Sequence, residues 1–113
     1  MSGTEALHWV RVASLAEIGD REAVAIEHDG HQIALFLLEG GEIRATDNVC
    51  THAYALLTDG WVEEGVIECP LHGGRFDVRS GCGLGAPITR DLKTWPVRVT
   101  EGEIFIGIAA PAA

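Results

Sequence analysis

Two short motifs, each with one cysteine and one histidine, constrain this chain more than any other feature. They are Cys50-Thr51-His52 and Cys69-Pro70-Leu71-His72, and 16 residues separate them. Two thiolates and two imidazoles form the ligand set of a mixed Cys2His2 metal site. Such a set can hold either a single zinc ion or a two-iron cluster. A chain that uses it must bring two loops together.

The size and composition of the chain indicate one globular domain. Its 113 residues, 47% of them hydrophobic, are enough to bury a core. We expect a single domain over residues 1–113, without a linker. Neither end resembles a targeting signal, and no apolar run approaches the roughly 20 residues of a membrane-spanning helix. We therefore expect a soluble, cytoplasmic protein with no membrane partner.

The net charge restricts the classes of partner that the chain can bind, and the cysteine count indicates the redox state of its compartment. Seventeen acidic residues against eight basic ones leave a formal net charge of -9, which argues against nucleic acid because phosphate contacts need a basic face. The acidity is compatible with steering toward a basic protein, and we hypothesise that Glu63, Glu64 and Glu68 orient such a partner. Cys82 has no partner motif, so we expect an unligated thiol and a reducing compartment.

Short apolar alternations separated by glycine turns predict an all-β domain of antiparallel strands. Ser14 to Glu17 matches a capping box, but Gly19 follows at once, so we expect one helical turn at most. Trp9, Trp61 and Trp95 are predicted to be buried or half-buried. The predicted strands are Ala23 to His28, Gln32 to Leu38, Glu42 to Thr46, Trp61 to Val62, Val66 to Glu68, Val97 to Val99 and Ile104 to Ile108.

The order of the ligands favours iron over zinc. A zinc finger groups its cysteines before its histidines, and structural zinc typically stabilises a domain too small to fold alone. Here the order is Cys, His, Cys, His, in a chain with a core of its own. The two thiolates can then take one iron and the two imidazoles the other, which is the arrangement of a Rieske centre. A zinc-stabilised interaction domain remains the alternative.

The residues around the motifs carry a family resemblance. Cys-Thr-His followed by Cys-Pro-Leu-His-Gly-Gly-Arg-Phe-Asp is similar to Rieske-type 2Fe-2S ferredoxins. The likeness to the ferredoxins of bacterial aromatic-ring dioxygenases runs from about Ala23 to Ile108. Its flanking segments are 45–48, 58–60, 85–87 and 94–97.

This resemblance implies a Rieske-like fold of stacked antiparallel sheets, with a cluster-binding subdomain at one end and a third loop around Pro87. It also implies one 2Fe-2S cluster, with Cys50 and Cys69 on the inner iron and His52 and His72 on the outer iron.

The resemblance further implies a monomeric one-electron carrier with no catalytic residues. It would receive electrons from a flavin-containing reductase and pass them to a terminal non-haem iron oxygenase. Three other histidines, His8, His28 and His31, are predicted to lie on the surface. Because the only spare ligand set, His28, Asp29 and His31, crosses a tight turn, we expect no substrate oxidation by this chain. The alternative is a small Rieske-like subunit of a larger oxidoreductase such as nitrite reductase.

Four positions distinguish this chain from quinol-oxidising Rieske proteins, which carry an extra disulfide and hydroxyl donors near the cluster. Those positions are occupied here by Ala55, Leu71, Gly74 and Phe76. None of these side chains can donate a hydrogen bond from a hydroxyl group. We therefore predict a low reduction potential, roughly -150 mV, near the bottom of the Rieske range.

Overall fold

A computed structural model describes residues 7–51, 55–71, 73–86 and 88–109, and in this part the chain forms ten strands, one short α-helix and two 3₁₀ turns. The 3₁₀ turns are Glu39–Gly41 and Leu57–Asp59. The helix α1 is Leu15–Ile18. The strands are β1 Leu7–Ser14, β2 Ala23–His28, β3 His31–Leu37, β4 Ile43–Asp47, β5 Trp61–Glu63, β6 Val66–Glu68, β7 Arg75–Asp77, β8 Thr94–Trp95, β9 Val97–Thr100 and β10 Glu103–Ala109.

These strands form three antiparallel sheets, which confirms the predicted all-β architecture. One sheet has the order β1-β10-β9, the second has the order β2-β3-β4-β8, and the third has the order β5-β6-β7. The hairpin turns use residues that tolerate a positive φ, as at Asp29 and Gly30, where φ is 53° and 84°. Each predicted strand is present, and no strand end differs from its prediction by more than one residue.

Strand β3 lies between two hydrophobic cores because both of its faces are buried. Ile33 and Leu35 pack into a core with Trp95, Ile104 and Ile106. The alternate residues Ala34 and Phe36 pack into a second core, which also contains both motif cysteines. Since successive side chains of a strand point to opposite faces, one strand supports both cores. Its continuous apolar run is what a strand buried on both faces requires.

The capping box at the start of α1 forms as predicted. The Glu17 N–H donates to Ser14 Oγ at 3.1 Å, and the Ser14 N–H donates to Glu17 Oε1 at 2.7 Å. The helix ends at Ile18 and is followed by Gly19, whose φ of 62° an L side chain rarely adopts. The helix is therefore limited to a single turn between β1 and β2. Within the described ranges no helix has the length and apolarity to cross a membrane.

Three strands were not predicted from the sequence: β1, β7 and β8. Strand β1 lies at the edge of its sheet, where it pairs with β10, and its residues are mostly exposed or half-buried. Strands β7 and β8 have three and two residues, which is too short for a periodic pattern. All three form by pairing with strands that are distant in the sequence, as for β1 and β8, or that lie across a loop, as for β7.

Candidate metal centre

The two motif cysteines occupy equivalent places in two loops. The Cys50 N–H donates to the carbonyl of Ala55 at 2.9 Å, and the Cys69 N–H donates to the carbonyl of Gly74 at 2.7 Å. In both loops the bond therefore runs from the cysteine to the fifth residue after it. The first loop is closed beneath by a bridge between Val49 and Leu56, and the second loop joins β6 to β7. The structure thus places each motif cysteine at the start of a hairpin loop.

Both thiols are buried side by side beneath these loops. Cys50 is 5% exposed and Cys69 is fully buried, and both belong to the core that contains Leu57 and Phe76. Burial raises the pKa of the Cys69 thiol, and the adjacent Cys50 thiol raises it further. The Leu71 N–H lies 3.5 Å from Cys69 Sγ and lowers that pKa. Two neighbouring, buried thiols suit a metal that replaces their protons.

His52 and His72, the predicted histidine ligands, lie outside the described residues, as does Pro87 of the predicted third loop. The donor chemistry of the two cysteines fits an iron-sulfur cluster, because two thiolates from two different loops can bind one iron.

The segment that follows Pro87 anchors both loops. Thr51 Oγ1 donates to the Arg90 carbonyl at 2.8 Å, and Arg90 Nη2 donates to the Thr51 carbonyl at 3.3 Å. On the second loop, a Cβ added to Gly74 would lie 2.5 Å from Cδ1 of Ile88. Ile88 therefore packs directly onto the Gly74 backbone. The sequence carries no local signal for either contact, since each joins residues at least 14 positions apart.

Two residues outside the motifs support the loops from below. Asn48 is fully buried; its Nδ2 donates to Thr58 Oγ1 at 3.0 Å, and its Oδ1 accepts the Thr58 N–H at 2.9 Å. This pair holds together the two chain segments that flank the first loop. A Cβ added to Gly60 would overlap the carbonyl of Glu68, the residue before Cys69. Sequence reasoning placed Asn48 and Gly60 only within the family likeness and assigned them no role.

The three other histidines and the third cysteine lie outside the two cysteine loops. His8 and His31 are exposed and His28 is half-buried, so their predicted surface position is confirmed. His31 pairs with His28 across the β2–β3 hairpin and packs edge-on against Trp95, with ring centroids 5.3 Å apart. Cys82 is exposed, and its thiol donates to the carbonyl of Gly83 at 3.5 Å.

Trp61 corrects a prediction. Trp95 is buried and Trp9 is half-buried, as expected, but 62% of Trp61 is exposed. The short β5 alternates faces, and Val62 takes the inward position against the core that contains both cysteines. Trp61 is left on the outward face beside the second loop.

Comparison with known proteins identifies the same chemistry. The sequence matches the Rieske [2Fe-2S] domain over residues 8–96. It is 44% identical over 99 residues to the ferredoxin component of the naphthalene 1,2-dioxygenase/salicylate 5-hydroxylase systems of a Ralstonia species, covering 88% of this chain and 94% of that protein. It is 52% identical over 104 residues to the ferredoxin component of a Burkholderia 2,4-dinitrotoluene dioxygenase system, covering 88% and 94%.

Solved structures agree with this match. The ferredoxin of carbazole 1,9a-dioxygenase from Nocardioides aromaticivorans superimposes with a TM-score of 0.80 at 36% identity, covering 87% of this chain and 95% of that chain. A chain from a complex of reduced oxygenase and oxidised ferredoxin in carbazole 1,9a-dioxygenase superimposes with a TM-score of 0.81 at 30% identity, covering 93% and 97%.

Proposed function

Because this chain belongs to the Rieske [2Fe-2S] domain family, we propose that its one Rieske-type cluster is held by the four motif residues, Cys50, His52, Cys69 and His72. Cys50 and Cys69 bind the inner iron, and His52 and His72 bind the outer one. One observation carries this assignment: the two thiols are buried side by side at equivalent positions of two loops, each closed by a hydrogen bond from the cysteine.

The chain is an electron carrier and not a catalyst. When bound, the cluster supplies one-electron redox chemistry, at a higher potential than an all-cysteine cluster because two neutral imidazoles replace two thiolates. The residues around it moderate that effect. The Leu71 N–H donates toward Cys69 Sγ, but Gly74 and Phe76 supply no hydroxyl donor. We predict a midpoint potential of roughly -150 mV.

The relatives support the proposed partners. Both are ferredoxin components of dioxygenase systems that act on aromatic compounds. In this chain's system, the carrier accepts one electron at a time from a flavin-containing reductase and delivers it to a terminal Rieske non-haem iron oxygenase. It works as a monomer in the cytoplasm, and its encounters are brief, as redox interfaces usually are.

The cofactor assignment is tested by analysis of the purified protein. Two iron and two sulfide ions per chain are expected. The electron paramagnetic resonance spectrum of the reduced protein should show the low average g-value of a histidine-ligated cluster. Cys69→Ser should lose the cluster, whereas Cys82→Ser, which removes an exposed thiol, should keep it. Colourless protein containing zinc would contradict the assignment.

The carrier role is tested by reconstitution. The purified chain, a flavin-containing reductase and the oxygenase component of the Ralstonia naphthalene 1,2-dioxygenase system should together oxidise naphthalene with O2, using electrons from NADH. Omission of the chain should abolish turnover, and His72→Cys should alter both the average g-value and the turnover. A chain that purifies only within a larger oxidoreductase would instead support the subunit alternative.

A further inference from the structure

The sheet β5-β6-β7 presents one face to solvent beside the second cysteine loop. In its register Trp61 pairs with Glu68 and Glu68 with Arg75, and in the other outward row Glu63 pairs with Val66. Directly paired residues of antiparallel strands share a face, with Cβ atoms about 5 Å apart. Glu68 and Arg75 flank the loop at 69–74, so the first row crosses the sheet at the base of that loop.

The opposite face of this sheet is filled by core residues. Ile67 and Phe76 are fully buried, and Val62 packs against the same core. The side chains on the outward face therefore do not pack against this core and are open to solvent. They line an open groove of about 220 Å³, formed by Trp61, Glu63, Glu64, Val66, Glu68 and Arg75.

The three tryptophans differ in what covers their rings. Lys93 Nζ lies 4.1 Å from the ring centre of Trp95, and the Arg98 guanidinium lies 4.3 Å from that of Trp9. Among the residues that the structure describes, no cation lies over Trp61, which is the largest exposed hydrophobic side chain. An indole face attracts a cation, and an exposed tryptophan is a frequent centre of binding energy at interfaces.

The charge around Trp61 also favours a cation. Three carboxylates, those of Glu63, Glu64 and Glu68, line the groove against the single guanidinium of Arg75. The chain as a whole has a net charge of -9. A positively charged side chain entering this groove would meet an aromatic face and carboxylates together.

We propose that this groove receives an arginine or lysine side chain from a basic surface of the terminal oxygenase, which docks beside the second cysteine loop. The proposal rests on the carrier function given above. It adds the contact that anchors the ferredoxin to the oxygenase. A chain of similar fold occurs in a complex with an oxygenase, so ferredoxins of this fold do dock on such partners. Because Glu68 and Arg75 flank the second cysteine loop, a partner anchored in this groove docks beside that loop.

The test measures affinity for the oxygenase component of the Ralstonia naphthalene 1,2-dioxygenase system, using the cluster-loaded chain. Trp61→Ala should raise the dissociation constant roughly 3- to 30-fold, the range for loss of a cation–π contact. Trp61→Phe should lose less, because a phenyl face attracts cations less strongly than indole. Glu63→Gln and Glu68→Gln should weaken binding at low salt and flatten its salt dependence.

A matched control separates the groove from net charge. Glu101→Gln removes the same unit of charge from an exposed turn between β9 and β10, in another sheet. It should leave affinity nearly unchanged. The midpoint potential and reduced spectrum of each variant should match the original, so that weaker binding is not due to a damaged cluster.

Three outcomes would overturn the proposal. The first is Trp61→Ala binding the oxygenase as tightly as the original chain does. The second is Glu101→Gln weakening binding as much as Glu63→Gln. The third is weakening confined to the reductase. If Trp61→Ala fails to assemble its cluster, the test becomes the comparison of oxygenase affinity between Glu63→Gln and Glu101→Gln. An original chain that transfers no electrons to the oxygenase contradicts the carrier function, whereas normal transfer with an unaffected Trp61→Ala contradicts only the groove.

Discussion

Thr51 and Arg90 exchange two hydrogen bonds, each from the side chain of one residue to the backbone carbonyl of the other. Thr51 Oγ1 donates at 2.8 Å and Arg90 Nη2 at 3.3 Å. Thr51 stands between Cys50 and His52, so the guanidinium lies beside the first ligand loop. Since the two residues are 39 positions apart, the contact joins the loop to a segment that the motif does not include.

Replacing Arg90 with alanine should lower the midpoint potential of the cluster. A nearby positive charge stabilises the reduced, more negative cluster, so its loss disfavours reduction. Arg90 is exposed, and an interaction of about 0.2–1 kcal/mol corresponds to roughly 10–40 mV for one electron. A redox titration at low ionic strength measures the shift, which should shrink as salt is added. Arg90→Lys, which keeps the charge, should shift less; an unchanged potential in Arg90→Ala would contradict the charge effect.

Replacing Gly74 with serine should destabilise the second loop before any hydroxyl group can act on the cluster. The new Cβ would lie 2.5 Å from Cδ1 of Ile88, and overpacking of this kind typically costs about 1–3 kcal/mol. We expect faster cluster loss and a lower melting temperature. The double variant Gly74→Ser with Ile88→Ala should recover part of the stability and show a raised potential. If Gly74→Ser alone is as stable as the original chain, the proposed packing constraint is wrong.

Replacing Asn48 with alanine should weaken the first loop from beneath. Its buried side chain bonds both the N–H and the hydroxyl of the half-buried Thr58, and a lost hydrogen bond of this kind costs about 0.5–1.5 kcal/mol. Thermal unfolding followed by circular dichroism, together with loss of cluster absorbance, measures the effect. Thr58→Val removes the hydroxyl but keeps the N–H, so it should cost less. Equal losses in the two variants would show that the Asn48 amide has no special role.

The capping box should make stability sensitive to acid at Glu17. The Glu17 carboxylate is stabilised mainly by a hydrogen bond from the Ser14 N–H and next by the Ser14 side chain. Both lower the pKa of Glu17 from its ordinary value of 4.5. A carboxylate with a lowered folded-state pKa contributes stability above its unfolded pKa, and this is lost as the pH falls through the folded value. Glu17→Gln keeps an acceptor oxygen but no charge.

The measurement compares melting temperatures of the two chains between pH 6 and pH 3. The original chain should lose more stability than Glu17→Gln as the pH falls below about 4.5. Glu27→Gln, an equal charge change at an exposed position of β2, serves as the control and should follow the original chain. Parallel curves for the original chain and Glu17→Gln would exclude a pH-dependent cap.

Local chemistry explains what could be predicted. The hairpins follow from glycine and polar residues that accept a positive φ, and the capping box depends on side chains three positions apart. The order and spacing of the cysteines and histidines indicated a Rieske cluster, because ligand type and sequence order separate the candidate metals. Each of these signals is contained within a few neighbouring residues.

The sequence by itself therefore determined the all-β class, most of the strands, the capping box and the chemistry of the two motifs. Only the tertiary structure decided that Trp61 faces outward, that Ile88 packs on Gly74 and that Arg90 is bonded to Thr51. The face of β5 depends on which residue meets the core shared with Ile67 and Phe76, which are themselves placed by strand register. Short-range hydrogen bonds can be predicted from the residues next to one another in the sequence, whereas contacts between distant segments depend on how the sheets pack together.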